Sequence, residues 1–152
     1  MTERGYYYEA HRFRSAEHGG THIDAPIHFA EGALTVDRIP VEQLLGPAFV
    51  VDVSRASAHD PDYEVSVADL EGFEAEHGRL PRGAIVLLRT GFGERWPDRA
   101  EYLGTDERGA QAVAKLHFPG LAPEAARWLV ERGAHAVGID TASIDHGPST
   151  LF

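Results

Sequence analysis

His18-Gly-Gly-Thr-His22-Ile-Asp24-Ala-Pro-Ile-His28 gathers four metal-capable side chains into eleven consecutive residues, and no other stretch of the chain concentrates as much chemistry. In an extended backbone the side chains alternate between faces, so His18, His22 and Asp24, all at even positions, share one face. Pro26 has no N–H to give to a ladder, which lets His28 leave the strand line and still point into the same cavity. Gly19 and Gly20 permit a bend or bulge beside these groups. The spacing predicts a metal site on a strand face, with His28 placed to act rather than only to bind.

Outward from this segment, Tyr6 to Arg14 is rich in aromatic residues and reads as a strand, so that the two runs predict a hairpin ending near Phe29. Val41 to Leu45 suits one helical turn, and Ala48 to Val53 is an apolar run fit for a buried strand. Ser66 offers an N-cap with Asp69 three residues later, predicting a helix to His77 that Gly78 ends. Pro81 and Gly83 make a turn into a second apolar strand, Ala84 to Leu88, which leads into Arg89-Thr90-Gly91. Pro123 starts a further helix, with Ala126, Leu129 and Val130 on its apolar side and Gly133 at its end, and Ala136 to Ile139 is the last strand. Strands alternating with helices argue for an α/β domain with partly parallel pairing, fronted by an antiparallel hairpin that carries the site. Phe92 to Pro119, with a helix from Glu107 to Leu116, is expected to be a solvated surface excursion.

A chain of 152 residues with 43% hydrophobic content is long enough for one domain with a core. Lys and Arg number 14 against 24 Asp and Glu, and the net charge of −10 argues against nucleic acid and anionic membranes as partners. With no cysteine, disulfides and thiolate ligands are excluded, and any metal must be held by imidazole and carboxylate. No apolar run approaches the roughly 20 residues of a membrane span, and the N-terminus lacks a signal-peptide pattern, so the cytoplasm is the expected location.

A mixed set of His and Asp suits a divalent ion acting as a Lewis acid, zinc foremost and manganese as the alternative, with coordination positions left for water. His28 lies outside the trio, and its near-neutral intrinsic pKa fits general acid/base duty. Of the nine histidines, His59, His77 and His135 are isolated and read as structural. His11 reads as a surface or hairpin-packing residue and His117 as a turn residue. Asp140 and Asp145, beyond the last strand, read as supporting groups rather than reacting ones, and Arg89 is ambiguous in the same way.

These residues carry a family resemblance. The His18 to His28 segment resembles the His-x-Gly-Thr-His-x-Asp-x-Pro-x-His signature of the metal-dependent cyclase family, which includes bacterial kynurenine formamidase and isatin hydrolase. Leu88-Arg-Thr-Gly91, Pro119-Gly-Leu-Ala-Pro-Glu-Ala-Ala126, Gly138-Ile-Asp-Thr141 and Asp145-His-Gly-Pro-Ser149 agree with it in the family's order. The resemblance implies that His18, His22 and Asp24 bind metal, Asp24 bridging if two ions are held, and that His28 donates and accepts protons. It implies a mixed, barrel-like β-sheet flanked by helices, the swivelling β/β/α-type cyclase fold, in a single domain over residues 1–152, and a homo-oligomer acting on a small-molecule substrate.

Relative to the family pattern the chain is expected to be an incomplete domain, truncated at both ends. The resemblance places another His and a Glu ligand downstream of Asp145-His-Gly-Pro-Ser149, and His146, at the variable position of that segment, is not given the missing role. The function expected first is hydrolysis of an amide C–N bond, an arylformamidase acting on a substrate of the N-formylkynurenine type. The alternatives are a hydrolase of cyclic amides or lactones, a cyclase of secondary metabolism and, from another class, a non-catalytic metal-binding or oligomer-forming remnant.

Overall fold

A computed structural model describes residues 3–150, in two compact units, Met1–Arg38 and Ile39–Phe152. In the larger unit three apolar runs become a parallel sheet: β1 (Ala48–Asp52), β3 (Ile85–Arg89) and β5 (Ala136–Ile139), in the order β1-β3-β5. Parallel neighbours need a crossover, and the helices α2 (Val67–His77) and α4 (Pro123–Arg132) lie within the two connections. The register sets Val51 beside Leu88 and Leu88 beside Ile139 on one face. Val51, Val86 and Leu88 on that face pack with Leu70 of α2 and Ala125 and Leu129 of α4 to make the core. The opposite face is open, with Val50 and Leu87 side by side at 52% and 40% exposure.

Both helices end where the sequence dictates. Ser66 and Asp69 form a reciprocal capping box, the Ser66 hydroxyl accepting from the Asp69 amide at 3.3 Å and Asp69 Oδ2 accepting from the Ser66 amide at 2.7 Å. The Tyr63 hydroxyl donates to the same carboxylate at 2.8 Å, and burial together with that negative charge pushes the phenol up to about 12. Pro123 occupies the first turn of α4, and Gly133, at φ 75°, closes it in the left-handed conformation. The short helices α1 (Ser54–Ser57) and α3 (Arg99–Leu103) follow β1 and β3 in the chain.

A second, two-stranded parallel sheet pairs β2 (Glu64–Val65) with β4 (Gly120–Leu121). Ile144 to Gly147 runs antiparallel along the other side of β4, Leu121 N donating to Ile144 O at 2.7 Å and Gly147 N to Phe118 O at 2.8 Å. Side chains cannot enter this seam. A Cβ on Gly120 would lie 2.1 Å from His146 N, and one on Gly147 would lie 2.6 Å from the carbonyl carbon of Leu116.

Two expectations fail and the barrel-like sheet is met in part, as sheets flanked by helices. Tyr6 to Arg14 forms no strand and there is no hairpin; every described residue from 3 to 24 is exposed, and Tyr7 and Phe13 stand out at 73% and 93%. A strand needs a ladder and a face to bury, and three consecutive tyrosines do not alternate. No closed barrel forms among the described residues, whose sheets remain open. The segment from Phe92 to Pro119 is more than a solvated excursion, since Phe92, Ala112 and Phe118 are buried, and the helix expected over residues 107–116 shrinks to a 3-10 helix at Ala110–Lys115 after Gly109. No helix among the described residues is long and apolar enough to cross a membrane.

Candidate metal centre

The smaller unit brings His18, His22 and Asp24 together, but through a glycine bend instead of a strand face. The chain bends at Gly20 and Thr21, with Gly20 at φ 67°, a left-handed conformation that costs glycine least. The bend returns His18 to His22: His18 Nδ1 lies 3.2 Å from His22 Nε2 and 3.1 Å from Asp24 Oδ1, and His22 Nε2 lies 3.5 Å from Asp24 Oδ1. Three donors bound at near 2.0 Å to a tetrahedral ion stand about 3.3 Å apart. The triangle therefore has the size of three neighbouring corners of such a coordination sphere.

A further contact prepares the second imidazole. His22 Nδ1 lies 2.8 Å from the Gly20 carbonyl, an acceptor only, so this nitrogen carries the proton and the Nε2 lone pair is left for a metal. The carboxylate of Asp24 supplies the negative charge of the set. Neutral imidazole and oxygen donors in this geometry fit a divalent ion of the zinc type, with manganese also compatible with the donor chemistry.

Pro26 sets φ for a single 3-10 turn, Pro26–His28, held by His28 N donating to Ala25 O at 2.8 Å. It turns His28 back onto His18, their ring centroids 4.5 Å apart and their planes inclined by 50°, while Phe29 meets the His28 ring edge-on at 4.3 Å. His28 thus lies beside the donor triangle without belonging to it.

The remaining candidates go elsewhere. Asp140, just past β5, accepts from Thr90 N at 2.7 Å, Thr90 Oγ1 at 2.6 Å and Gly91 N at 2.9 Å, tying the end of β5 to the end of β3. Arg89 lies between Asp52 at 2.6 Å and Glu94 at 2.9 Å. His11 pairs locally with Glu9, and His77 stacks on Phe73. His117 lies 2.8 Å from Asp62, and His146 lies 3.3 Å from Glu64. Those two pairs had no signal in the sequence, because their partners are distant along the chain.

The family model described as "Putative cyclase" matches residues 2–146, nearly the whole chain. The chain belongs to the cyclase family. Within it, the chain is 35% identical over 133 residues to isatin hydrolase of Roseibium aggregatum, covering 82% of this chain and 48% of that protein. It is 32% identical over 136 residues to kynurenine formamidase of Bordetella petrii, covering 90% and 53%. Among solved structures, isatin hydrolase A from Ralstonia solanacearum superposes with a TM-score of 0.79 at 36% identity, covering 98% of this chain and 56% of that one. This member of the cyclase family spans about half the length of the curated relatives it matches.

Proposed function

We propose that this chain carries the metal- and proton-handling segment of a metal-dependent hydrolase that cleaves an amide C–N bond whose nitrogen is attached to an aromatic ring. The observation that carries the reading is the donor triangle of His18, His22 and Asp24, with sides of 3.1 to 3.5 Å, and the His28 ring beside it. In this reading those three residues hold the ion, zinc foremost, and Asp24 is the bridging group if two ions are held. A divalent ion bound there supplies Lewis-acid chemistry, polarising the carbonyl and acidifying water. His28 takes the proton of the water that attacks the carbonyl carbon, and returns it to the nitrogen as the C–N bond breaks. An arylamine leaves badly as its anion, so this second transfer is where a positioned imidazole contributes most.

Both named relatives act in this chemical neighbourhood. Formylkynurenine is an open-chain aryl formamide and isatin a cyclic aryl amide, so the same two transfers serve each. The open-chain formamide is the first reading, supported by the kynurenine formamidases, which match at about 30% identity. The cyclic amide is the second, favoured by the somewhat higher identity to isatin hydrolase of 35% over 133 residues. The setting that goes with either reading is a cytoplasmic homo-oligomer acting on a small molecule. The net charge of −10 supports the exclusion of nucleic acid and anionic membranes as partners.

The test is a side-by-side assay of the zinc-loaded chain on formylkynurenine and isatin, with His28→Ala as the comparison. Loss of the acid/base group is expected to lower kcat by about 100-fold or more at unchanged metal content. Full turnover by a metal-loaded His28→Ala protein would remove His28 from the mechanism, and a metal-free, inert wild-type chain would favour a non-catalytic remnant.

A further inference from the structure

Side chains between residues 99 and 143 line an open pocket of about 290 Å3 that shares no residue with the candidate metal centre. Its size is near the lower end of the roughly 300–1,000 Å3 typical of small-molecule sites. Leu103 of α3, Val113 and Leu116 around the 3-10 helix, and Phe118 give it apolar walls, while Arg99 and Ser143 contribute polar groups. The arginine is the unusual element. Its Nη2 donates to the Glu107 carbonyl at 3.1 Å, but its Nε is buried and has no hydrogen-bond partner among the described residues.

Its charge is likewise unanswered. Glu107, the acidic residue whose backbone Arg99 touches, gives its carboxylate to Lys115, and Arg99 makes no ion pair among the described residues. A half-buried guanidinium with an unpaired N–H and no counter-ion is costly in a chain of net charge −10, where carboxylates are abundant. A carboxylate in the pocket would supply the missing negative charge, and a guanidinium holds a carboxylate through charge-assisted hydrogen bonds. Phosphate fits less well, since the surrounding walls are apolar and only one cation is present. The volume limits the apolar part to about one ring.

We propose that this cavity binds a small aromatic carboxylate, its ring against Leu103, Leu116 and Phe118 and its carboxylate on Arg99. The proposal does not depend on the function assigned to the metal centre. It is tested by titrating the full chain with benzoate, following the methyl resonances of Leu103, Val113 and Leu116, with benzamide as the uncharged counterpart. Benzoate is expected to shift those methyls saturably and to bind at least about tenfold more tightly than benzamide, the margin of one charge-assisted hydrogen bond. Arg99→Gln is expected to erase that margin, with Arg99→Lys recovering part of it. Should Arg99→Gln not fold, Val113→Trp, which starts from a side chain 51% exposed and fills the cavity, is expected to block benzoate with Arg99 intact. Equal affinity for acid and amide, full affinity in Arg99→Gln or Val113→Trp, or no saturable shift of the lining methyls overturns the proposal.

Discussion

The two units of this chain divide structure from chemistry. Residues 39–150 hold a sheet and two capped helices around a core in which Val65, Leu70, Val86 and Ala125 are each 0% exposed. Residues 3–24 have no strand, no helix and no buried side chain, yet they carry the three candidate ligands. The difference teaches that the ligand geometry does not come from packing. It comes from short-range devices, a left-handed glycine and a backbone carbonyl that orients His22, while the turn at Pro26 places His28 beside them. Segments of this kind sit at the low end of local stability, and bound metal contributes ordering free energy to them.

The division can be broken most sharply at Asp24. Asp24→Ala is expected to weaken zinc binding by more than about 100-fold, beyond the range of outer-contact changes, while the unfolding of the larger unit stays the same; chelator competition and thermal melting measure the two. Leu70→Ala makes the reverse test. Removing a fully buried side chain at the centre of the core is expected to cost about 2–5 kcal/mol by urea unfolding, with zinc affinity in the native protein unchanged. If Leu70→Ala also abolished zinc binding under native conditions, the units would not be separable in this way.

Two smaller effects sharpen the picture inside the larger unit. Gly120→Ala forces a methyl group onto the backbone of His146 and is expected to cost about 1–3 kcal/mol, with the amides of residues 144–147 losing hydrogen-exchange protection first. Asp52 is the mildest. Hydrogen bonds from the Ser54 hydroxyl and amide, and then the Arg89 guanidinium, lower its carboxyl from 3.8 to about 2. A lowered carboxyl adds stability above its unfolded pKa and loses it as pH falls through the folded one. Asp52→Asn is therefore expected to cost under about 1 kcal/mol at pH 7, discounted because the side chain is half exposed, with the difference disappearing between pH 4 and 2. A pH-independent difference in urea unfolding would assign the effect to packing instead.

What could be read in advance was whatever is encoded locally. Ser66 with Asp69, Pro123 with Gly133, and the apolar runs of β1, β3 and β5 each announce an element within a few residues, and they formed nearly as expected. The donor trio was legible as a group, because three ligands within seven residues meet in more than one backbone conformation. Its conformation was not: even spacing suggested a strand, whereas Gly20 made a bend. Tyr6 to Arg14 misled because aromatic content signals a strand only where there is a face to bury. The supporting role read for Asp140 held, but its partner and that of His117 were out of reach, since they lie 50 and 55 residues away.

The seam where Gly120 meets His146 and Gly147 meets Leu116 also bears on how this sequence can drift. Two main-chain segments lie there with no room for a side chain, and two positions 27 apart each answer to a close approach of their own. Neutral exploration around them is closed at the seam and open beside it. Each glycine meets its own stretch of backbone, Gly120 that of Asp145 and His146 and Gly147 that of Leu116 and His117, so the loss of one leaves the demand on the other in place.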